Sequence, residues 1–424
     1  MKLLIEGGNQ LFGTIQISGA KNACLPIIAA TVLTNGKTVL RNVPRILDIE
    51  NLLYILSGLG CKIKWQDGDL YIDTTNITYN EINENAAKRI RGSVFVLGSL
   101  IGRFKMAKLP YPGGCAIGDR PIDLHVSGFK KIGIKVRETK THIVCKSGIT
   151  RCGVVHLDFP SVGATENLIL AAAIGNGVTM IHNAAREPEV VDLCRFLRKC
   201  GACIHGEGTD TIKITGVKEL CGTDYSPVPD RIVTGSYMLA VASVGGDVLL
   251  TNTDATHNAN LIDKLKSSGV DVFTTKDTIR IKTTGRQNAT TINSIHTGVY
   301  PGFPTDLQSQ FVVWRCLHKG NFQLTENLFE GRFKYIDELE KLGLRGCTNN
   351  RTVKIHGNVK FISGTHENPL ELNATDLRGG VALVIAALAA DGVTVINNAN
   401  YIARGHENIA RDLANLGANI IDVN

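Results

Sequence analysis

One short pattern recurs along this chain and restricts what it can fold into. Glycine opens a strand-like run ending in asparagine at Gly36 (GKTVLRN), Gly177 (GVTMIHN), Gly246 (GDVLLTN), Gly320 (GNFQLTEN) and Gly392 (GVTVINN). About 23 to 25 residues later comes a helix-end glycine followed by renewed strand character. These ends read LGCKI at Leu59, CGACI at Cys200, SGVDV at Ser268, LGLRG at Leu342 and LGANI at Leu416. A sixth, less regular copy runs from Phe104 to IGIKV at Ile132. An apolar helix is expected before each strand, at Ala23–Leu33, Gly92–Gly102, Ala164–Ile174, Thr234–Val244, Asp306–Leu317 and Leu377–Ala390. A strand pair closes the unit, as at Asp69–Ile72, Thr211–Ile214 and Thr352–Ile355. The unit therefore reads helix, strand, helix, strand, strand, with a period of about 70 residues.

Six such units in 424 residues exceed one hydrophobic core and divide naturally into two groups of three. The change of group is expected near Tyr225–Pro229, where SPVP reads as a linker. The formal charge of +7 is mild and spread along the chain, which argues against a nucleic-acid partner and suits small anionic substrates. The N-terminus lacks the apolar core and cleavage site of a secretory signal, and the best apolar run, Val381–Ala390, is too short to span a membrane. Eleven scattered cysteines point to reduced thiols in a cytoplasm. Cys200 and Cys203 form a C-x-x-C that straddles a helix end and a strand start, which favours packing over redox or metal chemistry.

Within the irregular copy, Pro110–Pro121 (PYPGGCAIGDRP) reads as a shaped loop, with glycines inside and prolines at its ends. It carries one thiol, Cys115, and one guanidinium, Arg120. A fixed cation nearby lowers a thiol pKa and makes the sulfur usable as an acid, base or nucleophile. The predicted helix entrances carry small or polar residues: SGAKN from Ser18, SVGAT from Ser161, PTD from Pro304 and ATD from Ala374. Helix N-termini present backbone donors to anions, so these entrances would meet in one cleft if two three-fold halves faced each other.

At this point the residues resemble the enolpyruvyl transferases over nearly the whole chain. The resemblance rests on ISGAKN (Ile17–Asn22), PGGCAIGDRPIDLH from Pro112, SVGAT from Ser161, NAAREPEVVD from Asn183, PDRI from Pro229, FPTDLQ from Phe303, FEGRF from Phe329, ATDLR from Ala374 and RGHE from Arg404. It implies a two-domain α/β (α+β) inside-out barrel, each domain three units around a pseudo-three-fold axis. Residues 21–229 would form the half carrying the cysteine loop (110–121), and residues 1–20 together with 230–424 the other half. It also implies a reaction: transfer of the enolpyruvyl group of phosphoenolpyruvate to the 3′-hydroxyl of UDP-N-acetylglucosamine, with release of phosphate, at the start of peptidoglycan precursor synthesis.

Phosphoenolpyruvate carries a carboxylate and a phosphate, and a site for it needs several fixed cations. The matching motifs assign that work to Lys21, Arg120 and Arg404, with Arg91 assisting. Cys115 takes the role of proton donor to the methylene carbon, and Asp306 that of base for the sugar hydroxyl. As a first-turn aspartate, Asp306 also suits the helix start without any catalytic duty. Asn22 would orient the sugar. Arg332 and Arg378 match family arginines near the closed cleft, and Asp376 is expected to fix one of them. Ser161, Val162 and Gly163 would meet the diphosphate and uridine at a helix entrance. Pro121, Ile122, Asp123, Leu124 and Leu328 complete the implied substrate contacts. Glu187 and Glu189 read equally as support for the site or as an acidic helix start. No metal and no cofactor is expected.

Three departures from the family pattern bear on affinity and closure rather than on the reaction. Leu47 and Phe159 stand where lysine is common, with Arg45 able to compensate for the first, and Gly331 where asparagine is common. The sister transferase acting on shikimate 3-phosphate is disfavoured by Cys115 and by GAKN at Gly19. A sugar-nucleotide sensor without turnover is encouraged only by Leu47, and RNA-end processing has no support in the charge distribution.

Overall fold

The computed structural model describes residues 1–113, 118, 121–285 and 292–423. Cys115 and Arg120 lie outside the described residues. Two compact units emerge, one of residues 19–113 and 121–228, the other of residues 1–18 and 229–423. Each has its own apolar core.

In the first unit the centre is made by helices α1 (Lys21–Ala30), α2 (Val94–Phe104) and α3 (Val162–Ala172). In the second it is made by α4 (Arg231–Val244), α5 (Gln308–Cys316) and α6 (Leu377–Ala389), which pack on one another in all three pairings. Water reaches almost none of their surface, so their sequences are mostly apolar or small rather than striped, and the few polar exceptions such as Asn167, Gln310 and Arg315 are buried too. The sheets take the outer position, and their strands alternate accordingly: Thr211–Thr215 buries Ile212 and Ile214 and turns Lys213 outward.

The repeated glycines and asparagines have a common backbone cause. Gly36, Gly177, Gly246, Gly320 and Gly392 all take positive φ, as do the helix-end glycines Gly60, Gly133, Gly201, Gly269, Gly343 and Gly417. The strand-ending Asn42, Asn183, Asn252 and Asn398 are left-handed too, at φ between 53° and 58°. Asparagine tolerates that region better than most residues because its short amide bonds locally. In the irregular copy Lys105 takes the place of the strand-opening glycine (φ 62°), which is why that copy escapes the sequence pattern.

The structure corrects the unit read from sequence. Four copies begin with an extra short strand parallel to the next one: Gly153–His156 on Val178–His182, Leu11–Gln16 on Gly246–Thr251, Ser294–His296 on Asn321–Thr325, and Leu370–Asn373 on Val393–Asn397. The first copy receives its equivalent from Asp224–Tyr225, where the stretch read as a linker begins. Runs this short give no readable periodicity. The C-terminal copy lacks a closing strand of its own. Lys2–Glu6 supplies it, inserting antiparallel between Val393–Asn397 and Asn419–Val423. Asp192 ties down the last residues of the first unit, accepting from the Tyr225 hydroxyl at 2.6 Å and the Val228 amide at 3.0 Å.

Candidate functional site

The chemistry-bearing residues sit where the core helices begin. In the second unit, Asp306 lies in the 3-10 turn Thr305–Leu307 that leads into α5, and Arg378 is the second residue of α6. Asp306 Oδ1 accepts from Arg332 Nη2 at 2.7 Å, while Oδ2 accepts from Arg378 Nη2 at 3.0 Å and Nε at 3.2 Å. Ser309 of α5 donates to the Arg378 carbonyl at 3.0 Å, fixing the two helix starts together. Burial alone would raise the Asp306 carboxyl, but the Arg332 and Arg378 guanidiniums outweigh it and hold it far below the usual carboxylate range. An edge of the carboxylate stays open, its side chain 22 % exposed against 8 % for Arg332.

The two arginines are not saturated by this contact. Arg332 Nε and Arg378 Nη1 are buried with no hydrogen-bond partner among the described residues. A pair of near-buried guanidiniums with unspent donors around one carboxylate is an anion-recognition device. Asp376 does not brace an arginine side chain, as the sequence led us to expect. Its carboxylate caps α6, accepting from the amides of Arg378 and Gly379 at 2.9 and 3.0 Å. Arg404 ends the 3-10 turn Ala399–Arg404 and is half-buried, and the Leu328 amide donates to Glu326 at 2.8 Å. Sequence reasoning missed Thr305, which accepts from Arg332 Nη1 at 2.8 Å. Its position beside Asp306 was the available signal.

In the first unit, Lys21 is the first residue of α1 and only 8 % exposed. Its Nζ lies 2.7 Å from Oδ2 of Asp48, a buried residue near the start of the helix Leu47–Gly58 and also missed from sequence. Asn22 follows, partly exposed. Arg91 Nη2 approaches the Pro121 carbonyl at 3.5 Å, and Ile122 and Asp123 lead into the helix Asp123–Lys131, which holds Leu124. Ser161 caps α3, its Oγ accepting from the Ala164 amide at 3.3 Å, with Val162 and Gly163 in the first turn. A Cβ on Gly163 would lie 3.3 Å from the His125 ring, so this entrance packs on the helix that follows the loop. Asn167 ties the neighbours together, donating to the Val94 carbonyl at 3.0 Å and accepting from the Gly98 amide at 2.9 Å. At the loop's described end, a Cβ on Gly113 would fall 1.7 Å from the Lys88 carbonyl oxygen, so only glycine fits.

Arg45 is engaged with Glu50 at 3.1 Å and lies over the Trp65 ring, while Leu47 and Phe159 are exposed. Glu187 precedes the helix Pro188–Lys199 as its N-cap residue and Glu189 lies in its first turn; both are buried. They face Glu166 of α3, which is fully buried, with neither oxygen hydrogen-bonded among the described residues. Burial first, then Glu189 and Glu187, push the Glu166 carboxyl well above its ordinary value. A carboxyl raised on folding loses stability as pH climbs past its unfolded value, because the folded state must keep the proton. Glu166→Gln is therefore expected to raise the melting temperature, by more at pH 8 than at pH 5, as read by differential scanning calorimetry. A cavity of about 910 Å³ lined by Gln323, Glu330, Cys347, Arg351 and Lys354, among others, holds none of the site residues named above.

Comparisons with known proteins bear on the family and the fold. The family profile described as EPSP synthase (3-phosphoshikimate 1-carboxyvinyltransferase) matches residues 5–413. A relative from Caldanaerobacter subterraneus subsp. tengcongensis, named UDP-N-acetylglucosamine 1-carboxyvinyltransferase 2, is 43% identical over 423 residues, covering 100% of this chain and 99% of its own. A Clostridium botulinum protein named UDP-N-acetylglucosamine 1-carboxyvinyltransferase is 42% identical, with 99% of each chain covered. Among solved structures, the enolpyruvyl transferase NikO from Streptomyces tendae superposes with a TM-score of 0.87 at 24% identity, over 99% of this chain and 98% of that one. An EPSP synthase from Acinetobacter baumannii gives 0.74 at 18% identity, with 99% of each covered. At those identities the structures speak for the fold alone.

Proposed function

This chain belongs to the EPSP synthase family of enolpyruvyl transferases, and from that premise we propose how its residues divide the work. The protein is a transferase that moves the enolpyruvyl group of phosphoenolpyruvate onto the 3′-hydroxyl of UDP-N-acetylglucosamine and releases phosphate. In the addition step the sugar oxygen bonds to C2 of the donor while C3 gains a proton and becomes a methyl group. In the elimination step that methyl loses a proton and the bond from C2 to the phosphate oxygen breaks. Each step needs one group to give a proton and one to take it.

Asp306 takes the hydroxyl proton, and Cys115 serves C3. Arg332 and Arg378 hold the donor's carboxylate, and Lys21, Arg120 and Arg404 its phosphate, with Arg91 assisting. Asn22 orients the sugar, while the α3 entrance at Ser161, Val162 and Gly163 receives the diphosphate end. Pro121, Ile122, Asp123, Leu124 and Leu328 complete the substrate contacts, with Asp376 acting through the Arg378 backbone. The observation that carries this assignment is the Asp306 carboxylate shared by two buried guanidiniums that retain unspent donors. Clamped this way Asp306 is a feeble base. An anionic donor that draws the arginines away restores its basicity at the moment the hydroxyl must be deprotonated. Ten described cysteines are free, and no described helix is long and apolar enough to cross a membrane. Our reading is a cytoplasmic protein, which the free thiols and the two metabolite substrates support.

Phosphate release from phosphoenolpyruvate tests the function directly. UDP-N-acetylglucosamine is expected to support turnover and shikimate 3-phosphate is not. Cys115→Ser is expected to lose at least about 100-fold in kcat. Fosfomycin, incubated with sugar nucleotide, is expected to add its mass to wild type and not to Cys115→Ser. Turnover with shikimate 3-phosphate alone would reverse the substrate assignment.

A further inference from the structure

The described charges around Asp306 end in a fully buried carboxylate that the mechanism above does not use. Glu326 follows the strand Asn321–Thr325 and is 0 % exposed. Its Oε1 accepts from Thr297 Oγ1 at 2.9 Å and from the amides of Leu328 and Phe329 at 2.8 and 3.2 Å. Its Oε2 accepts from Thr305 Oγ1 at 2.7 Å. Glu326 is the acceptor in all four contacts.

That arrangement fixes a direction. The Thr305 hydroxyl has a single proton, and it is spent on Glu326. The oxygen of Thr305 can then only accept from Arg332 Nη1, which lies 2.8 Å away and can only donate. Arg332, Thr305 and Glu326 thus form a one-way chain, with Asp306 held on the other nitrogen of the same guanidinium. The turn that Glu326 caps also carries Phe329, whose ring lies under the Arg332 guanidinium at 5.0 Å. Arg332 therefore has three supports, Asp306, Thr305 and the Phe329 ring, and Glu326 sets two of them.

We infer that Glu326 is a positioning residue, which acts through Thr305 and the 328–329 turn to keep the Arg332 guanidinium aimed after Asp306 lets go of it. This rests on the assignment of Arg332 to the donor's carboxylate. If Asp306 must release its arginines to act as a base, some other group has to keep Arg332 from following solvent or swinging away. Glu326 is suited to this because it is dry, accepts every bond offered and touches no reacting atom itself. The strength of donor binding then depends on a residue one contact removed from the donor.

Thr305→Val removes the hydroxyl at nearly constant volume. It is expected to raise KM for phosphoenolpyruvate about tenfold, the equivalent of one charge-assisted hydrogen bond, with KM for UDP-N-acetylglucosamine unchanged. Thr305→Ser keeps the chain and is expected to stay within about twofold of wild type. Glu326→Gln would present an amide N–H to Thr305, turning that hydroxyl's proton toward Arg332, and is expected to raise the same KM at least as far. Crystal structures of wild type and Thr305→Val provide a readout without turnover: the guanidinium of Arg332 should leave its place between Asp306 and Phe329 in the variant and keep it in Thr305→Ser. An unchanged KM in Thr305→Val overturns the inference, as does an unmoved Arg332 or a Thr305→Ser variant as impaired as Thr305→Val. Should wild type itself release no phosphate, the assigned reaction fails, and the position of Arg332 in the Thr305→Val crystal still decides the positioning role.

Discussion

Asp306→Asn is expected to lower kcat by about 1,000-fold, because the amide fills the same space but cannot take the hydroxyl proton. Asp306→Ala is expected to lose as much activity and, in addition, to lose stability. It leaves the near-buried guanidiniums of Arg332 and Arg378 confronting each other without the carboxylate between them. Breaking a buried ion pair on one side typically costs about 3 kcal/mol, and the open edge of Asp306 keeps the figure at that lower end. The same reasoning gives a rescue. Millimolar phosphoenolpyruvate or phosphate should raise the melting temperature of Asp306→Ala more than that of wild type, since an anion can take the vacated place. A variant with equal ligand shifts would contradict the reading of these arginines as an anion seat.

The pH dependence of that effect follows from sign. A carboxyl whose folded pKa is depressed contributes stability above its unfolded value and loses it only as pH falls toward the folded one. Asp306 is held far down by Arg332 and Arg378 against the opposing effect of burial. The stability gap between wild type and Asp306→Asn should therefore stay flat from pH 5 to pH 8 and narrow only in stronger acid. Thermal melts across that range check it.

Lys21→Ala is the second large expected loss, with KM for phosphoenolpyruvate raised about 100-fold and kcat reduced. A lysine at the first position of a helix opposes the helix dipole, and its burial adds a desolvation cost. Asp48 at 2.7 Å offsets part of this, but an apolar residue would have satisfied the fold at less expense. A local rule broken inside a buried helix start is what a functional residue looks like. The double variant Lys21→Met with Asp48→Leu should therefore recover melting temperature while remaining inactive. Recovery of activity in the double variant would show the pair to be structural only.

The path from sequence to site was uneven for physical reasons. Lys21, Asp306 and Arg378 were singled out because motif and helix-start position agreed, and Arg332 by motif alone. Asp48 and Glu326 were not, since each lies far along the chain from its partner and looks like an ordinary acid in a helix or after a strand. Asp376 was expected to fix an arginine side chain and instead caps the helix, because a side chain two residues before an arginine can reach its backbone more easily than its guanidinium.

The chain itself carries the period of the repeat, its six copies and, apart from Lys105, the left-handed positions within it. Glycine and asparagine at those points answer a local steric demand that needs no knowledge of neighbours. Most helix cores were likewise legible, because burial on all sides leaves a largely apolar run, as in Leu377–Ala389. Only the tertiary fold makes Lys2–Glu6 close the C-terminal copy, hundreds of residues from its sheet partners. It alone also set the sharing of Asp306 between two arginines, because ion pairing depends on distances of a few ångströms that spacing along a chain does not encode.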